Sequence, residues 1–123
     1  MLNRRQQFGR KSEALAAQHL KKSGYRILEQ NYRTPVGEID IIAQDGQTLV
    51  FVEVKARRTA GYGSPKQSVT PQKQKKISMA ALYYLKIRKG APLRARFDVV
   101  AITTAGPSEQ IEIVKNAFEL AYP

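Results

Sequence analysis

The chain has 123 residues, 42% of them apolar, which suits one domain that buries a core without disulfides or structural metal. It contains no cysteine, so disulfides, thiolate zinc sites and cysteine nucleophiles are excluded. Lys and Arg number 21 against 10 Asp and Glu, a net charge of +11 that draws polyanions.

Residues 4–23 read as a helix in which Phe8, Ser12, Leu15, Ala16, His19 and Leu20 share one broad face. Arg10, Lys11, Ala14 and Gln18 share the other. Ser23-Gly24 supplies a stop. No apolar run approaches a membrane span, and Met1 to Phe8 hold no apolar signal core, so a soluble cytoplasmic protein with no membrane partner is expected. Lone histidines on apolar helix faces usually pack rather than ligate, so His19 is read as structural.

Tyr25 to Tyr32 reads as a strand and Thr34 to Gly37 as a loop. Glu38 to Ala43 alternates polar with apolar residues, Asp45-Gly46 is a hairpin signal, and Leu49 to Lys55 is a β-branched partner strand. Strand side chains alternate between faces, so Glu38 and Asp40 share a face on one strand while Phe51, Glu53 and Lys55 share a face on the next. With Asp45-Gly46 as a two-residue loop, Glu38 falls opposite Glu53, and Asp40 is diagonal to it. Three carboxylates on one hairpin face repel one another unless a cation intervenes. Mg²⁺ or Mn²⁺ suits such oxygen donors, with Asp40 and Glu53 as ligands and Glu38 as a third candidate. Lys55 would orient or deprotonate a water, or stabilise charge at phosphorus. The competing reading is a solvent-facing hairpin with an ordinary Glu–Lys pair.

From Val54 to Phe97 there are twelve basic residues and no acidic one. That stretch points to nucleic acid, and Arg57, Arg58, Lys66, Lys73, Lys75 and Lys76 are its candidate contacts. Lys73, Lys75 and Lys76 fall in the first turns of a helix where cations oppose the helix dipole, which favours phosphate binding as their role. Tyr62 could stack on a base or pin its loop to the core. The helix follows a Thr70 cap and Pro71 and runs to about Arg88, with Ile77, Ala80, Ala81, Tyr84 and Leu85 inward. Arg96 to Ile102 and Gln110 to Val114 are the last strands. Asp98, inside an apolar strand, needs a Lys or Arg partner. Helices interleaved with strands give an α/β sandwich around a mixed sheet.

Gly37-Glu-Ile-Asp-Ile-Ile-Ala43, followed by Phe51-Val-Glu-Val-Lys-Ala-Arg57, resembles the YraN-type family of small bacterial proteins, within the PD-(D/E)xK restriction-endonuclease-like superfamily. Gly9 to Ala16, Val69 to Gln74, Arg96 to Ala101 and Asn116 to Phe118 resemble further motifs of that family. The resemblance implies a single endonuclease-like domain over 1–123 with an αβββαβ core, a mixed sheet flanked by helices. It is also similar to archaeal Holliday junction resolvases in a helix Glu, a strand Asp and a Glu-x-Lys. Carried over by position, these imply Glu13, Asp40, Glu53 and Lys55 as catalytic residues. The resemblance covers Lys73 as well. The expected function is Mg²⁺- or Mn²⁺-dependent endonucleolytic hydrolysis of DNA, with branched or single-stranded DNA as candidate substrates. A non-catalytic nucleic-acid-binding module on the same scaffold is the alternative, and a homodimer is a candidate assembly.

Overall fold

The computed structural model describes residues 3–58, 64–88, 90, 94–104 and 108–121, with the side chains of Arg5 and Lys66 left out. The chain runs α1 (Arg4–Lys22), β1 (Arg26–Thr34), β2 (Gly37–Asp45), β3 (Thr48–Arg57), a short 3₁₀ turn (Pro65–Ser68), α2 (Pro71–Ile87), β4 (Arg94–Thr103) and β5 (Gln110–Phe118). The strands form one sheet in the order β1-β2-β3-β4-β5. β3 and β4 are parallel and every other neighbouring pair is antiparallel. A parallel pair needs a long crossover, which α2 supplies. The result is an α/β fold with an αβββαβ core.

Both helices begin on side-chain caps. Asn3 accepts from the Gln6 N–H at 2.9 Å while the Gln6 side chain takes the Asn3 N–H at 3.1 Å. Thr70 accepts from the Lys73 N–H at 3.2 Å, and Pro71 occupies the first helical position, where its missing N–H does no harm.

The helices cover opposite faces of the sheet. Ala16, Ala17 and Leu20 of α1 bury against Ile41, Ala43, Val50, Val52, Val100 and Ile102. Ile77, Ala80 and Ala81 of α2 bury against Ile42, Leu49, Phe51, Phe97 and Val99. Each fully buried aliphatic side chain stabilises the fold by about 1.5–3 kcal/mol. Tyr84 and Leu85 pack at the margin of that second cluster.

Phe8 departs from its expected place, being 42% exposed. Burial along α1 begins only at Ser12, so the first two turns overhang the packed surface. The hairpin between β2 and β3 also differs. Asp45 pairs with Thr48, so the turn is Gly46-Gln47, with Gly46 at a left-handed φ of +60°. A turn with glycine first matches the twist of its flanking strands. The register therefore moves by two residues from the expected one, an even shift that by itself changes no side chain's face. The alternation breaks instead around Asp40, since Ile39 packs with the α2 cluster and Ile41 with the α1 cluster.

A hydrogen-bonded polar network surrounds Asp98, away from the hairpin. Asp98, fully buried, accepts from Arg96 Nε at 2.9 Å, from the Tyr25 hydroxyl at 2.9 Å and from the Asn116 N–H at 3.0 Å. Arg96 also donates to Asp45 at 2.7 Å, which holds that carboxyl below its ordinary range. Asp98 is thus a structural carboxylate with an arginine partner, and the network ties β2, β4 and β5 to Tyr25 at the start of β1.

Candidate functional site

The β2–β3 ladder pairs residues as far as Ile41 with Val52. One residue further, the same register sets Asp40 across from Glu53. Asp40 does not continue the ladder through its backbone alone. Its Oδ2 accepts the N–H of Val54 at 2.8 Å. The side chain enters the space where the two strands part and satisfies a donor that would otherwise be orphaned.

Glu53 is 6% exposed and its carboxyl hydrogen-bonds that of Asp40. Burial first, and then the Asp40 charge, push the Glu53 carboxyl up to about 8, which favours one proton held by the pair at neutral pH. Asp40 is itself raised, by burial above all, with the Val54 N–H opposing. Two carboxylates this close and this dry share one proton between them.

Cations surround the pair. Lys73, in the first turn of α2, places Nζ 4.0 Å from Glu53 Oε1. Lys55, two residues along β3 and half-buried, also favours the charged form of Glu53. Glu13 reaches the site from α1, on the other side of the sheet. Its carboxyl is raised by partial burial and then by Asp40, while a hydrogen bond from Asn31 favours its charge. Glu38 sits at the rim with its side chain 56% exposed, 3.6 Å from Arg33 Nε.

The structure therefore brings Glu13, Asp40, Glu53, Lys55 and Lys73 to one place, with Glu38 at its rim, near enough that its charge also raises the Asp40 and Glu13 carboxyls. The remaining basic candidates are more dispersed. Lys75 and Lys76 are exposed on α2, Arg58 is exposed at the end of β3, and Arg57 donates to Thr103 Oγ1 at 3.4 Å. The Lys66 side chain and Tyr62 lie outside the described residues. His19 is half-buried on α1.

Two residues near the site were missed by reading the sequence. Asn31 adopts a left-handed φ of +53° inside β1. Its neighbours Gln30 and Tyr32 pair with Ile41 and Ile39, which sets Asn31 beside Asp40. The signal was an asparagine, a residue that tolerates this conformation, interrupting a strand. The other is Arg33, which lines clefts on both sides of it.

Among the described residues no group of three His, Cys, Asp or Glu is arranged to hold a metal. The donor set at hand is the Asp40–Glu53 pair. That set fits Mg²⁺, which binds through one or two carboxylates and completes its shell with water and substrate phosphate. The shared proton is the group that a cation would displace.

A mixed five-stranded sheet on an αβββαβ core, with an acidic pair where β2 and β3 part, defines the class as a small α/β protein. The family model described as "Uncharacterised protein family UPF0102" matches residues 12–102. A UPF0102 protein of Desulfosudis oleivorans is 59% identical over 97% of this chain and 95% of its own length. A UPF0102 protein of Geobacter sulfurreducens is 55% identical over 93% of this chain and 90% of its own. This chain belongs to the UPF0102 family, the YraN-type proteins. No helix among the described residues is long and apolar enough to cross a membrane.

Proposed function

We propose that this protein is a Mg²⁺- or Mn²⁺-dependent endonuclease that hydrolyses phosphodiester bonds in DNA. The observation that carries the reading is the buried contact between the Asp40 and Glu53 carboxyls, flanked by Lys55 and Lys73. A sheet gains nothing from burying two acids against each other. Such a pair is explained by a ligand that carries positive charge.

A divalent cation at this pair would supply Lewis-acid activation of the phosphate and a water of lowered pKa. The chain's own residues supply the rest. Asp40 stays fixed by the Val54 N–H. Lys55, on the same face as Glu53, holds or orients the attacking water. Lys73 stands where a scissile phosphate would need a counter-charge once Glu53 turns to the cation. Glu13, steadied by Asn31, supplies a further carboxylate for an outer water. The surrounding excess of basic residues, with Arg58, Lys75 and Lys76 exposed, attracts the polyanionic substrate.

One observation favours a second reading, a nucleic-acid-binding module that does not cut: only two carboxylates meet directly, and Glu38 is turned outward. Incubation with labelled duplex, single-stranded and four-way-junction DNA in Mg²⁺ and in Mn²⁺ separates the two. Cleavage of any of the three supports the endonuclease. Binding of DNA without cleavage in either metal supports the module.

A further inference from the structure

The overhanging turns of α1 leave a cleft of about 350 Å³ against β1, lined by Gln6, Gly9, Arg10, Glu13, Asn31 and Arg33. We propose that this cleft binds the phosphodiester backbone of DNA, as a phosphate subsite beside the Asp40–Glu53 pair. The inference rests on the reading of the chain as a DNA-acting protein, and it adds a surface outside the basic stretch from Val54 to Phe97.

Three observations converge on it. The lining presents two guanidiniums, and Arg33 is largely exposed, with its side chain at 80%. Guanidinium forks match phosphate oxygens in pairs. The carboxylate among the lining residues, Glu13, is engaged by Asn31, and Glu38 holds Arg33 only from the exposed rim at 3.6 Å, a pairing that a phosphate can displace. Asn31 holds its left-handed conformation inside a strand, a local strain that persists where the surroundings enforce it, and here it directs the amide to Glu13.

The third observation is continuity. Arg33 also lines a second cleft of about 340 Å³ with Lys73 and Lys76 on the opposite side of the sheet. The two clefts share Arg33, and Glu38 lines the second beside it. A polyanion lying along them would touch Arg10, Arg33, Lys73 and Lys76 in turn.

The test is DNA affinity by fluorescence anisotropy, with labelled duplex in Ca²⁺ across a salt series, for wild type, Arg10→Ala/Arg33→Ala, Gly9→Trp and the control Lys22→Ala. Thermal melts establish that each variant is folded. The double variant should weaken binding roughly tenfold at moderate salt, and its slope of log affinity against log salt should be shallower by about two. Gly9→Trp should weaken binding without a change in charge. Lys22→Ala, at the far end of α1, should bind nearly as wild type does. If wild type binds with a steep salt dependence and both Arg10→Ala/Arg33→Ala and Gly9→Trp match it, the subsite is wrong and the DNA reading stands. If wild type shows no salt-dependent binding, both fall.

Discussion

The carboxylate of Asp40 accepts the backbone N–H of Val54 at 2.8 Å, so one side chain both closes the end of the β2–β3 pairing and faces Glu53. These two duties separate by substitution. Asn at position 40 keeps an oxygen for the Val54 N–H and removes the charge. Ala removes both and leaves a half-buried donor unpaired. In chemical denaturation without metal, Asp40→Ala should be less stable than Asp40→Asn by about 1–3 kcal/mol. At pH 8 Asp40→Asn should also match or exceed wild type, because the repulsion with Glu53 is gone. Equal stabilities for the two variants would remove the structural duty from Asp40.

Stability should depend on pH through Glu53. In the unfolded chain this carboxyl titrates near 4.5, and in the fold it is held up to about 8 by burial and by Asp40. Between those values the folded state keeps a proton that the unfolded chain has released. Stability is therefore full below pH 4.5 with respect to this group and drains as pH rises toward 8, at up to roughly 1.4 kcal/mol per pH unit. Glu53→Gln cannot titrate and should flatten the profile across that window. Urea midpoints measured from pH 5 to 9 without metal decide it, and parallel profiles for the two proteins would contradict the buried acid pair.

Much of this arrangement was legible in the sequence. Thr70-Pro71 marked the start of α2, and the alternation in β3 put Glu53 and Lys55 on the face away from Val50, Val52 and Val54. In β2 strict alternation does not hold, because Ile39 and Ile41 pack on opposite faces around Asp40. The turn itself was misplaced because Asp45-Gly46 satisfies one rule for hairpin turns and Gly46-Gln47 another. Phe8 was assigned to the core because periodicity reports the face of a helix and not where its neighbour ends. Asn31 and Arg33 were missed because a left-handed residue within a strand follows from tertiary contacts with α1. The burial that drives Glu53 upward was likewise invisible until α2 was in place.

Glu38 and Asp40 share a strand phase but have different surroundings, and their substitutions should differ accordingly. Glu38 is tethered to Arg33 at the rim. Glu38→Gln should leave Mn²⁺ affinity within about fivefold of wild type, since an exposed rim charge contributes at most ~1 kcal/mol. It should tighten DNA binding by freeing Arg33. Calorimetry for Mn²⁺ and anisotropy for DNA give both numbers, and a large loss of Mn²⁺ affinity would make Glu38 a ligand.

Gly37 sets the spacing between β2 and α2. A Cβ there would lie 2.7 Å from the carbonyl oxygen of Lys76, a backbone atom that cannot swing aside. Gly37→Ala should destabilise the fold by about 1–3 kcal/mol, whereas Gly9→Ala, in open space within α1, should stabilise it by about 0.5–1 kcal/mol. Thermal or urea melts of the two variants check the contrast, and a neutral Gly37→Ala would show that α2 shifts freely against the strand.

The proposal that Asp40 and Glu53 share a divalent cation is tested most directly by calorimetry of Mn²⁺ binding at pH 7 in buffers of different ionisation enthalpy. Binding to wild type should release close to one proton, the one held by Glu53, so the observed heat should vary with the buffer. Asp40→Asn should weaken binding by more than about tenfold, and Glu53→Gln should weaken it and abolish the proton release. No Mn²⁺ binding by wild type, or binding with no proton release that neither substitution alters, would contradict the metal site.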